Sequence, residues 1–257
     1  MSFNEQWIAF MTIVRKEVRR FLRIWMQTLL PPAITMTLYF VIFGTLIGSR
    51  IGEMGGFNYI QFVVPGLVMM AVVTNSYANV VSSFFGAKFQ RFIEEILVSP
   101  MSNSIILWGY VIGGVSRGLL VGFIVTLLSL FFTELHIHNI WITIAIVALT
   151  SVFFSLAGFV NAVFANNFDD VSIVPVFVLT PLTYLGGVFY SVDMLSDFWA
   201  NVSHLNPMLY IVNAFRFGIL GVSDVNVVWA FVMVLCFTVA AYLYCMHLLA
   251  NSKRLRQ

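Results

Sequence analysis

Long apolar runs separated by short charged segments make up almost the whole chain. A helix needs roughly 20 predominantly apolar residues to cross a hydrocarbon core. Runs of that order occur at about 27–48, 60–84, 105–132, 140–164, 171–191 and 226–249, which predicts six transmembrane helices. The runs are continuous rather than alternating, which excludes a β-barrel, the other architecture that satisfies backbone polar groups in lipid. Pro175, Pro181 and Gly186-Gly187 punctuate the fifth run, and such breaks need neighbours or water to satisfy the carbonyls they free. Residues 192–225 carry Asp193, Asp197, Arg216 and Asp224 beside MLYIVNAFRFGIL, an apolar stretch too short to span. That combination predicts a re-entrant or interfacial helical pair on the outer side.

Two stretches are amphipathic instead. In residues 5–25, Trp7, Met11, Val14, Val18, Phe21, Leu22 and Trp25 recur at helical spacing, with Arg15, Lys16, Arg19, Arg20 and Arg23 opposite. This is the pattern of a helix lying in the membrane interface with its basic face toward anionic headgroups. Pro31-Pro32 is expected to separate it from the first span. The second stretch is FQRFIEEILVSP, residues 89–100. Phe89, Phe92, Ile93, Ile96 and Leu97 form one stripe, Lys88, Arg91, Glu94 and Glu95 take the other face, and Pro100 ends the helix. Attraction to headgroups does not account for Glu94 and Glu95. The composition leaves two readings open, a helix resting on the bilayer and a helix docking on another protein.

Composition supports the membrane reading: 60% of residues are hydrophobic and 9% charged, against about 25% charged in soluble domains. A net charge of +2 gives no reason to expect a nucleic-acid partner. The placement of Lys and Arg sets the orientation. With the N-terminus in the cytoplasm, Arg15, Lys16, Arg19, Arg20, Arg23, Lys88, Arg91, Lys253, Arg254 and Arg256 fall inside, Arg50 and Arg216 outside, and Arg117 within the third span. Both termini are therefore expected to be cytoplasmic. The basic cluster and the length of the first run argue against a cleavable signal peptide. The chain reads as a single membrane domain, with an interfacial helix at 1–26, a six-span bundle at 27–249 and a cytoplasmic tail at 250–257.

Candidate chemistry is sparse. Gly114-Val-Ser-Arg-Gly118 matches the nucleophile-elbow pattern, which has meaning only at a strand-to-helix turn and here falls inside a span. The glycines at 109, 113, 114, 118 and 122 instead make a smooth face for close helix packing, as do Gly44 and Gly48. Arg117 needs partners at mid-membrane, and it is open to two readings, a pathway or dimer-interface residue and a structural hydrogen-bond hub. Asn75, Asn79, Ser82 and Ser83 form a polar stripe that either lines a route or glues helices. His136, His138 and Glu134 read as a solvated loop rather than metal ligands. Cys236 and Cys245 fall on opposite faces of one helix and cannot pair. The sequence holds no Gly-x-x-x-x-Gly-Lys-Ser/Thr phosphate loop. A secondary transporter would show internal repeats and more ionisable residues at depth, and an intramembrane enzyme a nucleophile–base pair.

Four segments, YIQFVVPGLVMM (59–70), FIEEILVSPMSNSIILWGY (92–110), LTPLTYLGGVFYSVDML (179–195) and LNPMLYIVNAFRFGILG (205–221), together resemble the type-2 ABC transporter permeases, in particular those of Gram-negative inner membranes. The resemblance covers essentially the whole chain. It implies an all-α, six-helix exporter subunit that forms a homodimer and binds two copies of a separate cytoplasmic ATPase. No cofactor is then expected on this chain, since ATP and Mg would sit on the partner. The resemblance makes Phe89, Arg91, Phe92, Glu94, Glu95 and Pro100 a coupling helix that enters the ATPase, and Asp169 and Asp170 a second cytoplasmic contact. It makes residues 192–224 outer re-entrant helices that cap the pathway.

Overall fold

The computed structural model describes residues 2–251, so the expected charges at Lys253, Arg254 and Arg256 lie outside the described residues. The chain is an all-α membrane protein. Among the described residues five helices are long and apolar enough to cross a membrane: α2 (Trp25–Ile51), α3 (Tyr59–Phe89), α5 (Asn103–Ser129), α6 (Ile140–Phe164) and α10 (Val227–Asn251). The expected fifth run is shorter than predicted. It forms α7, residues 168–184, whose middle widens into a π-type turn at Pro175–Leu179. Pro175 and Pro181 cannot donate to the helix ladder, and the Gly186-Gly187 turn, with Gly187 at φ +69°, stops the helix before the expected end.

α3 is the central helix, with 78% of its apolar window buried inside the chain, against 11% for α2. It packs mainly against α5 and α6. A two-stranded hairpin joins α2 to α3, pairing Glu53 with Asn58 and Met54 with Phe57. Gly55 and Gly56 supply its turn at φ +60° and +80°, a conformation that suits glycine. The α5 glycines have two sides. Gly109 and Gly113 face the N-terminal helix, and Gly114 and Gly122 face α3, where an added Cβ would come within 2.6 Å of Val80 and Val72. This is the close packing that the spacing predicts.

The N-terminal helix α1 (Phe3–Arg23) starts at a Ser2/Glu5 capping box. It has three faces where the sequence suggests two. Ile13, Glu17 and Phe21 are buried against the bundle, whereas the expected apolar stripe leaves Trp7, Leu22 and Trp25 about half exposed. Arg15, Arg19 and Arg23 point away from the bundle. The boundary with α2 also differs: the chain leaves helical geometry at Ile24, and Pro31 and Pro32 sit within α2, in the first turn of its Leu30–Phe40 stretch, where a missing N–H is harmless.

The expected helical pair is present as α8 (Asp197–His204) and α9 (Pro207–Leu220). Asn206 caps α9 by accepting from the Met208 N–H, and Gly221 ends it in the left-handed conformation. Arg216, expected in an outer loop, is instead fully buried within α9.

Candidate functional site

The end of the bundle at Phe89 carries the segment singled out for partner binding, and its local structure differs from the single helix expected. α3 runs through Phe89 and stops. Arg91 adopts φ +62°, the one non-glycine residue with positive φ among those described. A new helix, α4 (Phe92–Val98), then begins and ends at Ser99, whose extended backbone is what the following Pro100 demands. The break splits the stripe. Ile93 turns inward at 2% exposure, while Phe89 and Phe92 stay 58% and 55% exposed. Arg91, Glu95 and Pro100 are exposed and Glu94 is half-buried.

Asp169 and Asp170 occupy the first turn of α7, next to this patch. Asn167 accepts from the Asp170 N–H at 2.8 Å and the Asp170 carboxylate accepts from the Asn166 N–H at 2.8 Å, so Asp170 closes the turn and Asp169 is the acid left on the surface. Two contacts weld the segments together. Phe168 packs its ring on Phe85 and Phe89, at 5.1 and 5.0 Å between centroids. Lys88, expected on the exposed charged face, instead turns in and donates to the carbonyls of Val163 and Ala165 at 2.7 and 2.8 Å, capping the C-terminus of α6.

Arg117, Asn75 and Asn79 lie in a polar ladder inside one chain. Arg117 Nη2 donates to Asn75 Oδ1 at 3.0 Å and to the Thr28 carbonyl at 3.2 Å. One turn along α3, Asn79 accepts from Arg20 Nη2 through its side chain at 3.0 Å and its carbonyl at 2.8 Å. A further turn along, Ser83 donates to Glu17 Oε1 at 2.7 Å. Asn75 and Asn79 are 4% and 0% exposed, and the side-chain oxygen of each accepts from an arginine of the same chain. Ser116 of the Gly-x-Ser-x-Gly match lies within helix α5, away from any strand-to-helix turn.

At the opposite end, Arg216 ties three elements. It donates to the carbonyls of Phe62 (3.3 Å) and Gly187 (2.6 Å) and to Asn213 Oδ1 (3.3 Å), with its guanidinium 3.8 Å over the Phe62 ring. Asn213 Oδ1 also accepts from the Asp224 N–H at 3.0 Å, and Tyr59 donates to the Phe189 carbonyl at 3.0 Å. The Gly187 turn is thereby held against α3, where Gly66 leaves room for Val188. Sequence reasoning missed Arg216 and Glu17. A lone arginine in an apolar stretch, one turn after an asparagine, was the available signal for the first. His138 packs on Phe217 at 5.5 Å, and no group of three metal-ligating side chains occurs among the described residues.

A multi-pass helical bundle with a short surface helix after the break at Arg91 and a pinned helical pair at the other end is the architecture of an integral membrane protein. Residues 8–220 match the ABC-2 type transporter family, and the chain belongs to it. It is 59% identical over 251 residues to the inner membrane transport permease YadH of Escherichia coli K12, covering 97% of this chain and 98% of the relative. The YadH of Shigella flexneri matches to the same extent. Nodulation protein J of Neorhizobium galegae is 23% identical over 179 residues, 69% of this chain and 68% of that protein.

Proposed function

We propose that this chain is the membrane-spanning subunit of an ATP-driven exporter in a bacterial inner membrane, with both termini in the cytoplasm and α7 as a sixth span. Two copies would pair and work with two copies of a separate cytoplasmic ATPase that holds ATP and Mg. The observation that carries this reading is the patch at the α4 end. Left-handed Arg91 frees α4 from the axis of α3, and Phe89, Phe92, Glu95, Phe168 and Asp169 are presented together. Exposed aromatic rings ringed by charge suit a protein partner better than headgroups. The names of the YadH relatives, transport permeases of the inner membrane, point the same way.

Pairing is supported by α2 and α7, which leave Leu38, Ile42, Val176 and Phe177 uncovered. A wall of that chemistry suits an amphipathic or lipid-linked cargo. The test is reconstitution of the chain with its ATPase in lipid nanodiscs. The double variant Glu94→Ala with Glu95→Ala should stay folded and lose the substrate-stimulated part of ATP hydrolysis. Full stimulation in that variant would remove α4 as the contact, and failure of the unaltered chain to bind any ABC ATPase would remove the exporter reading.

A further inference from the structure

The ladder beside α1 contains a group that neither the proposed partner contact nor the outer cap uses. Glu17 is fully buried although it lies in the most basic stretch of the chain. A carboxylate does not leave water without compensation. Its Oε1 accepts from Ser83 of α3 at 2.7 Å and lies 3.7 Å from Lys16 Nζ, while Oε2 lies 3.5 Å from Arg20 Nε. Its other neighbour is α5, where Gly113 lets the helices touch: a Cβ added there would fall 2.5 Å from Glu17 Cβ. Glu17 is therefore wedged between α3 and α5, the two helices that α4 connects.

The rungs on α3 are one helical turn apart. Ser83 meets Glu17, Asn79 meets Arg20, and Asn75 meets Arg117, which also holds the Thr28 carbonyl at the start of α2. Residues four apart share a helix face, so one stripe of α3 holds α1 at Glu17 and Arg20 and, through Arg117 of α5, the root of α2. A displacement of α4 that separates α3 from α5 must either break the Glu17–Ser83 bond and strand a buried carboxylate or pull α1 off α5 at Gly113, whereas a displacement that moves them together carries α1 and α2 along. The second course costs far less.

We infer that Glu17 is a positioning residue that makes α1, α3 and α5 one rigid unit, so that movement of α4 is delivered to α2, the least covered span. This rests on the reading of α4 as the ATPase contact.

The test uses the reconstituted complex with three single variants. Glu17→Gln keeps an acceptor for Ser83 but removes the attraction to Arg20 and Lys16. Gly113→Ala pushes Glu17 away without altering it. Gly86→Ala, on α3 with open space around it, is the control. The expected result is that Glu17→Gln and Gly113→Ala bind the ATPase with unchanged affinity and keep the KM for ATP, but lose about fivefold or more of the stimulated kcat. Gly86→Ala behaves as the parent. Stimulated kcat at the parent level in Glu17→Gln and Gly113→Ala overturns the inference. So does parallel loss of binding, KM and kcat, which marks Glu17 as a fold residue only. If the parent chain itself binds no ATPase, the reading of α4 fails instead.

Discussion

Phe89, the last residue of α3, and Phe168, the first of α7, pack with ring centroids 5.0 Å apart and their planes tilted by 59°. Two segments separated in sequence by α5 and α6 thus form one surface. Replacing Phe168 with alanine removes the edge-to-face contact with Phe85 and the tilted contact with Phe89, at about 0.5–1.5 kcal/mol per aromatic pair. Thermal unfolding in detergent should fall by a few degrees, while ATPase affinity, read by titration into nanodiscs, falls roughly tenfold. Unchanged affinity would mean that α4 and α7 contact the partner separately or not at all.

Lys88 is expected to act through α6. Lys88→Met keeps the aliphatic stem but uncovers the carbonyls of Val163 and Ala165, at a cost of about 1–2 kcal/mol. Limited proteolysis should then cut faster around residues 165–168, with cleavage elsewhere unaltered.

Arg91 offers the opposite sign. A left-handed conformation costs an L-residue roughly 1–2 kcal/mol, part of which glycine recovers. Arg91→Gly should raise the unfolding temperature slightly, and Arg91→Pro, which cannot adopt positive φ, should lower it by more. Equal unfolding temperatures for the three proteins would show that the α3–α4 break is not fixed by this residue.

Arg216 is the residue whose loss should be most damaging at the other end. Arg216→Ala leaves two backbone carbonyls and the Asn213 acceptor short of a donor in a dry site, which should cost about 3 kcal/mol or more. Arg216→Lys keeps the charge but not the fork of donors, so it should recover only part of the loss. Chemical unfolding of the purified protein distinguishes the three.

Much of the fold was legible because the bilayer imposes a length rule. The spans at α2, α3, α5, α6 and α10 follow directly from the apolar runs, and the α5 glycines from their spacing. What was not legible depends on partners distant in sequence. Glu17 sits within RKEVRR, where a single acid looks like one more solvated charge, and only the contact with Gly113 and Ser83 reveals a third helix face. The break at Arg91 carries no glycine or asparagine to announce positive φ. Lys88 and Arg216 were counted by their charge, but the carbonyls they hold come from residues 75 and 77 positions away for Lys88 and 29 and 154 for Arg216. The counting rule for orientation concerns insertion, and it does not say where a cation settles once the helices have packed.

The burial of α3 reverses a habit carried over from water-soluble proteins. Of the five long spans it is the least apolar, and it is also the one most enclosed by its neighbours, while α10, among the most apolar, turns most of its surface outward. Lipid tails replace solvent here, so polarity collects in the middle. A scan of substitutions should accordingly find α10 tolerant of exchange among greasy residues of any shape, and α3 intolerant of changes in shape even where a hydroxyl or amide is already at home.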